Sequence, residues 1–427
     1  MSATHTLHPD EKVKAGKIGG QMAKIGIPLG LVLIVVAYLL GPKDNGARIF
    51  QYGYLTAWLF VWSIAVGCLF FVLIHHLSRA RWSTVVRRIA ENVALTFPLL
   101  GLLGLGFILP MLAGNHNLFY WDYFKAQPHE WQHLDHHMVG KGGWLDPNVF
   151  AIRYVIYMLI YSGLAWWFAK QSRAQDESGD AKLSERMRIA AGPGTLVFAL
   201  TTVFAGFDLG MSLSPKWYST IYSVNIYGGA MIGAYAFLAI LTRSIQKTGR
   251  LTHSVTTEHY HDLGKLLFGF IFFWAYTAFS QFMLIWYANI PEEIVFYKYR
   301  MFTDWTNWSI AVLLGQWLIP YVLLMSRWTK RVLPVFMILA VWCLVFHWVD
   351  LYWNVMPNAT WGVTHGRVTG PLSGPLETHH VQAVWQSIVI WLGMTAVFVG
   401  FVGTRMKGNL VPVKDPMLGP SLGFENY

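Results

Sequence analysis

The chain has 427 residues and only two cysteines, Cys68 and Cys343. Both sit inside apolar runs and far apart, and no CxxC, CxxCH or four-cysteine set occurs. That excludes an iron–sulfur cluster or a c-type haem held by this chain alone. Charge is the second scarcity. Only 13% of residues are charged and 55% are hydrophobic, against about 25% charged in a soluble domain. A soluble enzyme is excluded, and a polytopic membrane protein is expected. The net charge of +10 could suit nucleic acid, but the basic residues lie scattered between apolar runs. Orientation in a membrane explains them better, and nucleic acid is not an expected partner. The first 24 residues are polar and basic, and the apolar run after them has no small-x-small cleavage site. An uncleaved first span is expected, not a signal peptide.

What is abundant is long apolar runs. They predict ten spans, at about 25–41, 51–75, 92–113, 149–169, 193–213, 219–241, 264–290, 306–326, 332–354 and 381–403. Most of the 32 Lys and Arg residues then fall on one side. They lie at Lys12–Lys24, Arg79–Arg88, Lys170–Arg188, Arg243–Lys265, Arg327–Arg331 and Arg405–Lys414. The positive-inside rule makes that side cytoplasmic, with both termini on it. The expected organisation is an N-terminal tail at 1–24, a membrane domain at 25–403 and a C-terminal tail at 404–427. The segment 171–188 reads as the most mobile inner loop. On the outer side, the long connections 114–147 and 355–380, rich in Gly, Pro, His and Trp, suggest a docking surface for extracytoplasmic partners. The spacings Gly101-x-x-Gly104 and Gly229-x-x-x-Gly233 suit close helix packing.

One stretch, His261–Glu293, organises the reading. Its Ser280-Gln281 places hydrogen-bonding groups in the middle of a span, where a partner inside a bundle is expected. It ends in Pro291-Glu292-Glu293, two carboxylates at the outer interface. Asp208 lies near the outer end of the fifth span, and an intramembrane acid marks a proton or substrate path or braces the next turn. His347 and Asp350 share one helix face at i,i+3 in the ninth span, and imidazole beside carboxylate is a common proton-handling pair. Asp208, His347, Asp350, Glu292, Glu293 and Gln281 are therefore expected to form a polar pocket or proton path opening outward. Arg153 needs a carboxylate, carbonyl or lipid-phosphate partner. Near the inner face, Glu91, His259, His261 and Asp262 read as solvated or capping groups, and His75-His76 ends the second span. Only His347 approaches a depth that could ligate haem b, so none is expected. The outer-loop residues His129, His133, His136 and His137 make i,i+4 pairs if helical; surface packing is favoured over zinc.

Three segments carry a family resemblance: FWAY…FSQF…IWYANIPEE at 273–293, Asp208–Tyr222 and Lys141–Tyr157. They resemble the NrfD-like (polysulfide reductase NrfD family) integral membrane subunits of bacterial alternative complex III, a quinol:cytochrome c oxidoreductase, and within these the ActF-like branch. The chain departs at Leu209-Gly210 and at Trp144-Leu145-Asp146. The resemblance implies two four-helix bundles, spans 2–5 and 6–9, with spans 1 and 10 flanking. It implies respiratory electron transport and partner subunits: an NrfD-like paralogue, an iron–sulfur subunit, multihaem and monohaem cytochromes c, small membrane subunits and a terminal oxidase, besides lipids. The haem c and iron–sulfur centres belong to those partners. This chain supplies scaffold, with room for a proton path or a menaquinone site. Two other readings stay open: a proton-coupled transporter, and the quinol-oxidising paralogue of the same complex.

Overall fold

The computed structural model describes residues 6–41, 44–119, 121–122, 140–360, the short strands Gly362–Thr364 and Arg367–Thr369, and 380–426. Among the described residues, ten helices are long and apolar enough to cross a membrane, so the chain is an all-α polytopic membrane protein. They are α1 (Ile18–Leu40), α2 (Asp44–Leu77), α3 (Thr84–Ala94) continued by α4 (Phe97–Leu112), α5 (Pro147–Ser178) and α6 (Lys182–Leu209). Next come α7 (Tyr222–Gln246), α8 (Thr257–Ala288), α9 (Pro291–Met301), α10 (Thr306–Met325), α11 (Leu333–Val355) and α12 (His380–Arg405). α9 is a short helix between spans. All ten predicted spans are present.

The spans α2, α3–α4, α5 and α6 pack together, as do α7, α8, α10 and α11, and α2 and α7 join the two groups. α1 and α12 form a tightly packed flanking pair. Glycine explains how close that pair comes. A Cβ on Gly30 would stand 2.3 Å from the Gly393 carbonyl, and one on Gly403 would stand 2.5 Å from the Gly19 carbonyl. Without side chains there, backbone meets backbone, the packing available when lipid supplies no hydrophobic drive between helices.

The helices on the face that holds both termini are longer than expected. The segment 171–188 is not a mobile loop: α5 and α6 run through it, and Gly179 makes the turn at φ 72°. Part of its polarity is used inward, for Ser172 and Gln175 are buried. The C-terminal residues are likewise built into this face. Leu410 N donates to Val13 O at 2.7 Å, Ser421 Oγ to Trp82 O at 2.7 Å, and Lys265 Nζ to Asn426 Oδ1 at 2.8 Å. The strap thereby touches both bundles.

Beneath the strap lies a buried ion network. Arg87 is held by Asp415 and by Glu91 at 3.4 Å, while Arg88 reaches Glu91 at 2.9 Å and Asp176 at 2.8 Å. The expectation that Glu91 is a solvated interfacial group fails. Charges cannot be buried singly, and two arginines of α3 needed acids from three segments. His259 does cap: its Nδ1 accepts from Thr256 N at 3.0 Å, closing a capping box at the start of α8. Asp262 pairs with Lys265 one turn on.

Candidate functional site in the second bundle

The two intramembrane acids meet opposite fates. Asp208, at the end of α6, is fully enclosed. Arg153 of α5 grips it through Nε at 2.7 Å and Nη2 at 2.9 Å, a bidentate fork. Trp144 Nε1 and Tyr157 OH each donate to it at 2.8 Å. Arg153 also donates to Trp144 O at 3.0 Å, with its guanidinium 4.0 Å from the Trp144 ring centroid. This is a lock between α5, α6 and the loop before α5, with the lone pairs of Asp208 occupied. Arg153 finds the carboxylate partner its depth demanded.

Asp350 of α11 is equally buried, at 1% exposed, but no cation reaches it among the described residues. Its neighbours are neutral donors: Trp274 Nε1 to Oδ2 at 3.2 Å and Asn354 Nδ2 to Oδ1 at 3.2 Å. Asp350 lies five residues before the end of α11, about 8 Å inside at 1.5 Å per residue.

His347 faces elsewhere. Its Nε2 meets Ser63 Oγ of α2 at 2.8 Å, at the junction of the bundles. No described hydrogen bond joins His347 to Asp350, so the expected direct pair does not form. Three residues on a helix offset the two groups, and one turns toward α2 while the other turns toward α8. What they share is Gly229 of α7. A Cβ there would stand 3.2 Å from His347 Nδ1 and 3.6 Å from Asp350 Oδ2, and Gly233 lies against the same ring. The small-residue spacing read as helix packing is the seat of the histidine. His347 Nδ1 is buried with no hydrogen-bond partner among the described residues.

Asp350 lines a cavity of about 660 Å³ enclosed by α7, α8, α9, α10 and α11. Gln281 lines it too, accepting from Ser219 Oγ at 3.2 Å and donating to Tyr297 OH at 3.0 Å. Ser280, by contrast, faces outward and bonds back to Tyr276 O within its own helix at 2.7 Å. Glu292 and Glu293 are not in the cavity wall. They occupy the first turn of α9, Glu292 exposed and Glu293 half-buried. Of the six predicted site residues, the structure brings Asp350 and Gln281 to one cavity, with His347 behind it. Asp208 belongs to the other bundle.

Three contributors escaped the sequence reading. Tyr297 and Arg300 of α9 both lie in what reads as a charged interfacial segment. Arg300 is 2% exposed and donates to Phe296 O and Asn354 O at 3.0 Å and Trp353 O at 3.2 Å. A cation at the C-terminal carbonyls of α11 complements the helix dipole. Burial lowers its pKa to about 10, so it stays charged at neutral pH. The third is the π-helical turn Leu313–Leu318 within α10, a feature frequent at functional sites. There Gln316 is buried with neither amide atom hydrogen-bonded among the described residues. A glutamine inside an apolar run was the available signal. The outer-loop His129, His133, His136 and His137 lie outside the described residues. Among the described residues, no group of three metal-ligating side chains occurs.

Comparison with protein-family models gives no match, and comparison with curated proteins gives none either.

Proposed function

We propose that the chain is an integral subunit of a membrane-bound quinol:cytochrome c oxidoreductase, in a bacterial inner membrane with both termini cytoplasmic. In this reading it holds no redox centre. Haem c and iron–sulfur partners carry the electrons, and this chain supplies scaffold and a proton-handling group in its second bundle. The observation that carries the proton role is Asp350, a membrane-embedded carboxylate with neutral donors and no counter-cation among the described residues. An acid left in that state inside a bundle is costly, and intramembrane acids of this kind mark proton paths. The three sequence segments given above support membership of the redox complex.

The test is purification of the tagged chain from its native membrane under mild detergent. Haem c and iron–sulfur subunits should co-purify in fixed ratio. A chain that runs alone and catalyses proton-coupled transport in vesicles would replace this reading with that of a transporter.

A further inference from the structure

The hairpin of α5 and α6 is rich in charge on both sides of its turn at Gly179, and most of that charge is spent within the fold. Asp176 holds Arg88 at 2.8 Å, while Glu185 takes Arg188 at 2.9 Å and Arg79 at 3.0 Å. Arg173 donates to Asn92 Oδ1 at 3.0 Å and to Arg405 O at 3.2 Å. Gln175 donates to Ser184 Oγ across the turn at 2.7 Å, and Lys414 of the strap donates to Glu177 O at 2.6 Å. Two cations stand apart. The side chains of Lys182 and Arg186 have no hydrogen bond or ion pair among the described residues, and both line one cavity of about 460 Å³ between α5 and α6. The acid in its wall is Glu185, already held by two arginines.

Below the cations the wall turns apolar, with Trp167, Ile189, Ala190 and Pro193. Gly163 lies one turn below Trp167 on α5, where a Cβ would meet open space, so the groove runs on along the helices. The depth of this change matches a membrane interface. Ile189 is 62% exposed and Trp166 is 56% exposed, with the Lys170 ammonium 4.7 Å from the Trp166 ring centroid. Amphipathic rings and long cations gather at the headgroup level. Arg186 stands three residues above Ile189, about 4.5 Å at 1.5 Å per residue, within a headgroup layer of roughly 5–7 Å.

We infer that this cavity of the first bundle holds an anionic phospholipid from the leaflet on the side of both termini. Lys182 and Arg186 take its phosphate, and one acyl chain lies along Trp167, Ile189 and Pro193. Basic pockets between membrane helices select anionic headgroups. A zwitterionic headgroup such as phosphatidylethanolamine brings its own ammonium toward two cations that have no other counter-charge. The braced hairpin presents both cations from a fixed base. The site uses neither Asp350 nor any redox partner, so it stands or falls apart from the proposed function.

The full chain is reconstituted in nanodiscs of phosphatidylcholine doped equally with phosphatidylglycerol and phosphatidylethanolamine, then released into native mass spectrometry. Retention of phosphatidylglycerol in preference to phosphatidylethanolamine is expected. Phosphatidylglycerol with a photoreactive acyl chain should label peptides that contain Trp167 or Pro193. Lys182→Gln with Arg186→Gln should weaken retention about tenfold, equivalent to about 1.4 kcal/mol, and abolish the preference. Both residues are exposed, so the fold does not depend on them. Ala190→Trp fills the cavity from its apolar side and should expel the lipid with both cations in place. Lys17→Gln with Lys24→Gln, at the start of α1, removes the same charge elsewhere on this face and should change nothing. The assignment is overturned by labelling confined to other helices, by retention unchanged in both cavity variants, or by an equal loss in the α1 variant. Release of the lipid by ammonium phosphate but not by ammonium acetate of equal ionic strength would mean a site for free anions, and overturns it too.

Discussion

Asp208 and Asp350 are both aspartates within a few residues of the end of a membrane helix, and both are at most 2% exposed. Their surroundings differ in one respect that decides everything else. The first bundle gives its acid an arginine fork, an indole and a phenol. The second gives its acid an indole and an amide at longer range, while the buried Arg300 of α9 is bonded to helix-terminal carbonyls instead. A fully bonded carboxylate holds structure and has nothing left to exchange. A carboxylate with neutral donors beside a cavity keeps its lone pairs available. Depth in the membrane did not separate the two; the presence of a basic partner did.

The largest effect expected from this contrast is at the lock. Asp208→Ala leaves the Arg153 side chain, 12% exposed, without a counter-charge, and breaking a buried pair from one side costs about 3–5 kcal/mol. The purified variant should lose most of its thermal stability in detergent, or fail to accumulate, while Asp208→Ala combined with Arg153→Leu should recover part of the loss. A single variant as stable as the parent chain would mean the fork is not a lock, and the contrast would collapse.

Asp350→Asn should do the reverse. It keeps shape and hydrogen-bonding capacity and abandons no cation, so stability should change by less than about 1 kcal/mol. Proton release during turnover of the intact complex should slow by about 10²-fold, the usual scale for losing a positioned acid–base group. Normal release in a fully assembled variant would reduce Asp350 to a packing residue.

How far these roles were legible follows from the same comparison. Span number, and the place of Asp208, Gln281, His347 and Asp350 within spans, can be read because hydrocarbon tolerates few polar groups and makes each one conspicuous. What could not be read is which polar group meets which. Arg153 and Asp208 are 55 positions apart, and nothing in either segment names the other. Asp208 and Asp350 both lie near the outer ends of their helices, and depth carries no information about bundle. The burial of Glu91 is hidden for a related reason: Arg87 and Arg88 lie on its own helix, but Asp176 of α5 and Asp415 of the C-terminal strap complete the network only in the fold. Arg300 was missed because a cation in an interfacial segment normally reads as solvated.

The smallest effect is expected at Glu292 and Glu293, and it tests the comparison from outside. The sequence places these carboxylates at the outer end of the stretch that contains Gln281, next to the site in chain order. In the fold the chain turns at Asn289, with φ 49°, and restarts at Pro291 as α9. The two glutamates then fall in the first turn of a new helix, off the cavity wall. Acids there interact with the unpaired backbone N–H groups and the positive end of the helix dipole, worth about 0.3–1 kcal/mol. The double variant Glu292→Gln, Glu293→Gln should therefore leave proton release unchanged. It should raise amide hydrogen exchange in α9 modestly, because the first turn loses its charge complement. If proton release falls instead, to the level of Asp350→Asn, the outer carboxylates are part of the route. The functional boundary would then extend from the second bundle to the far surface, as the order of residues along the sequence suggests.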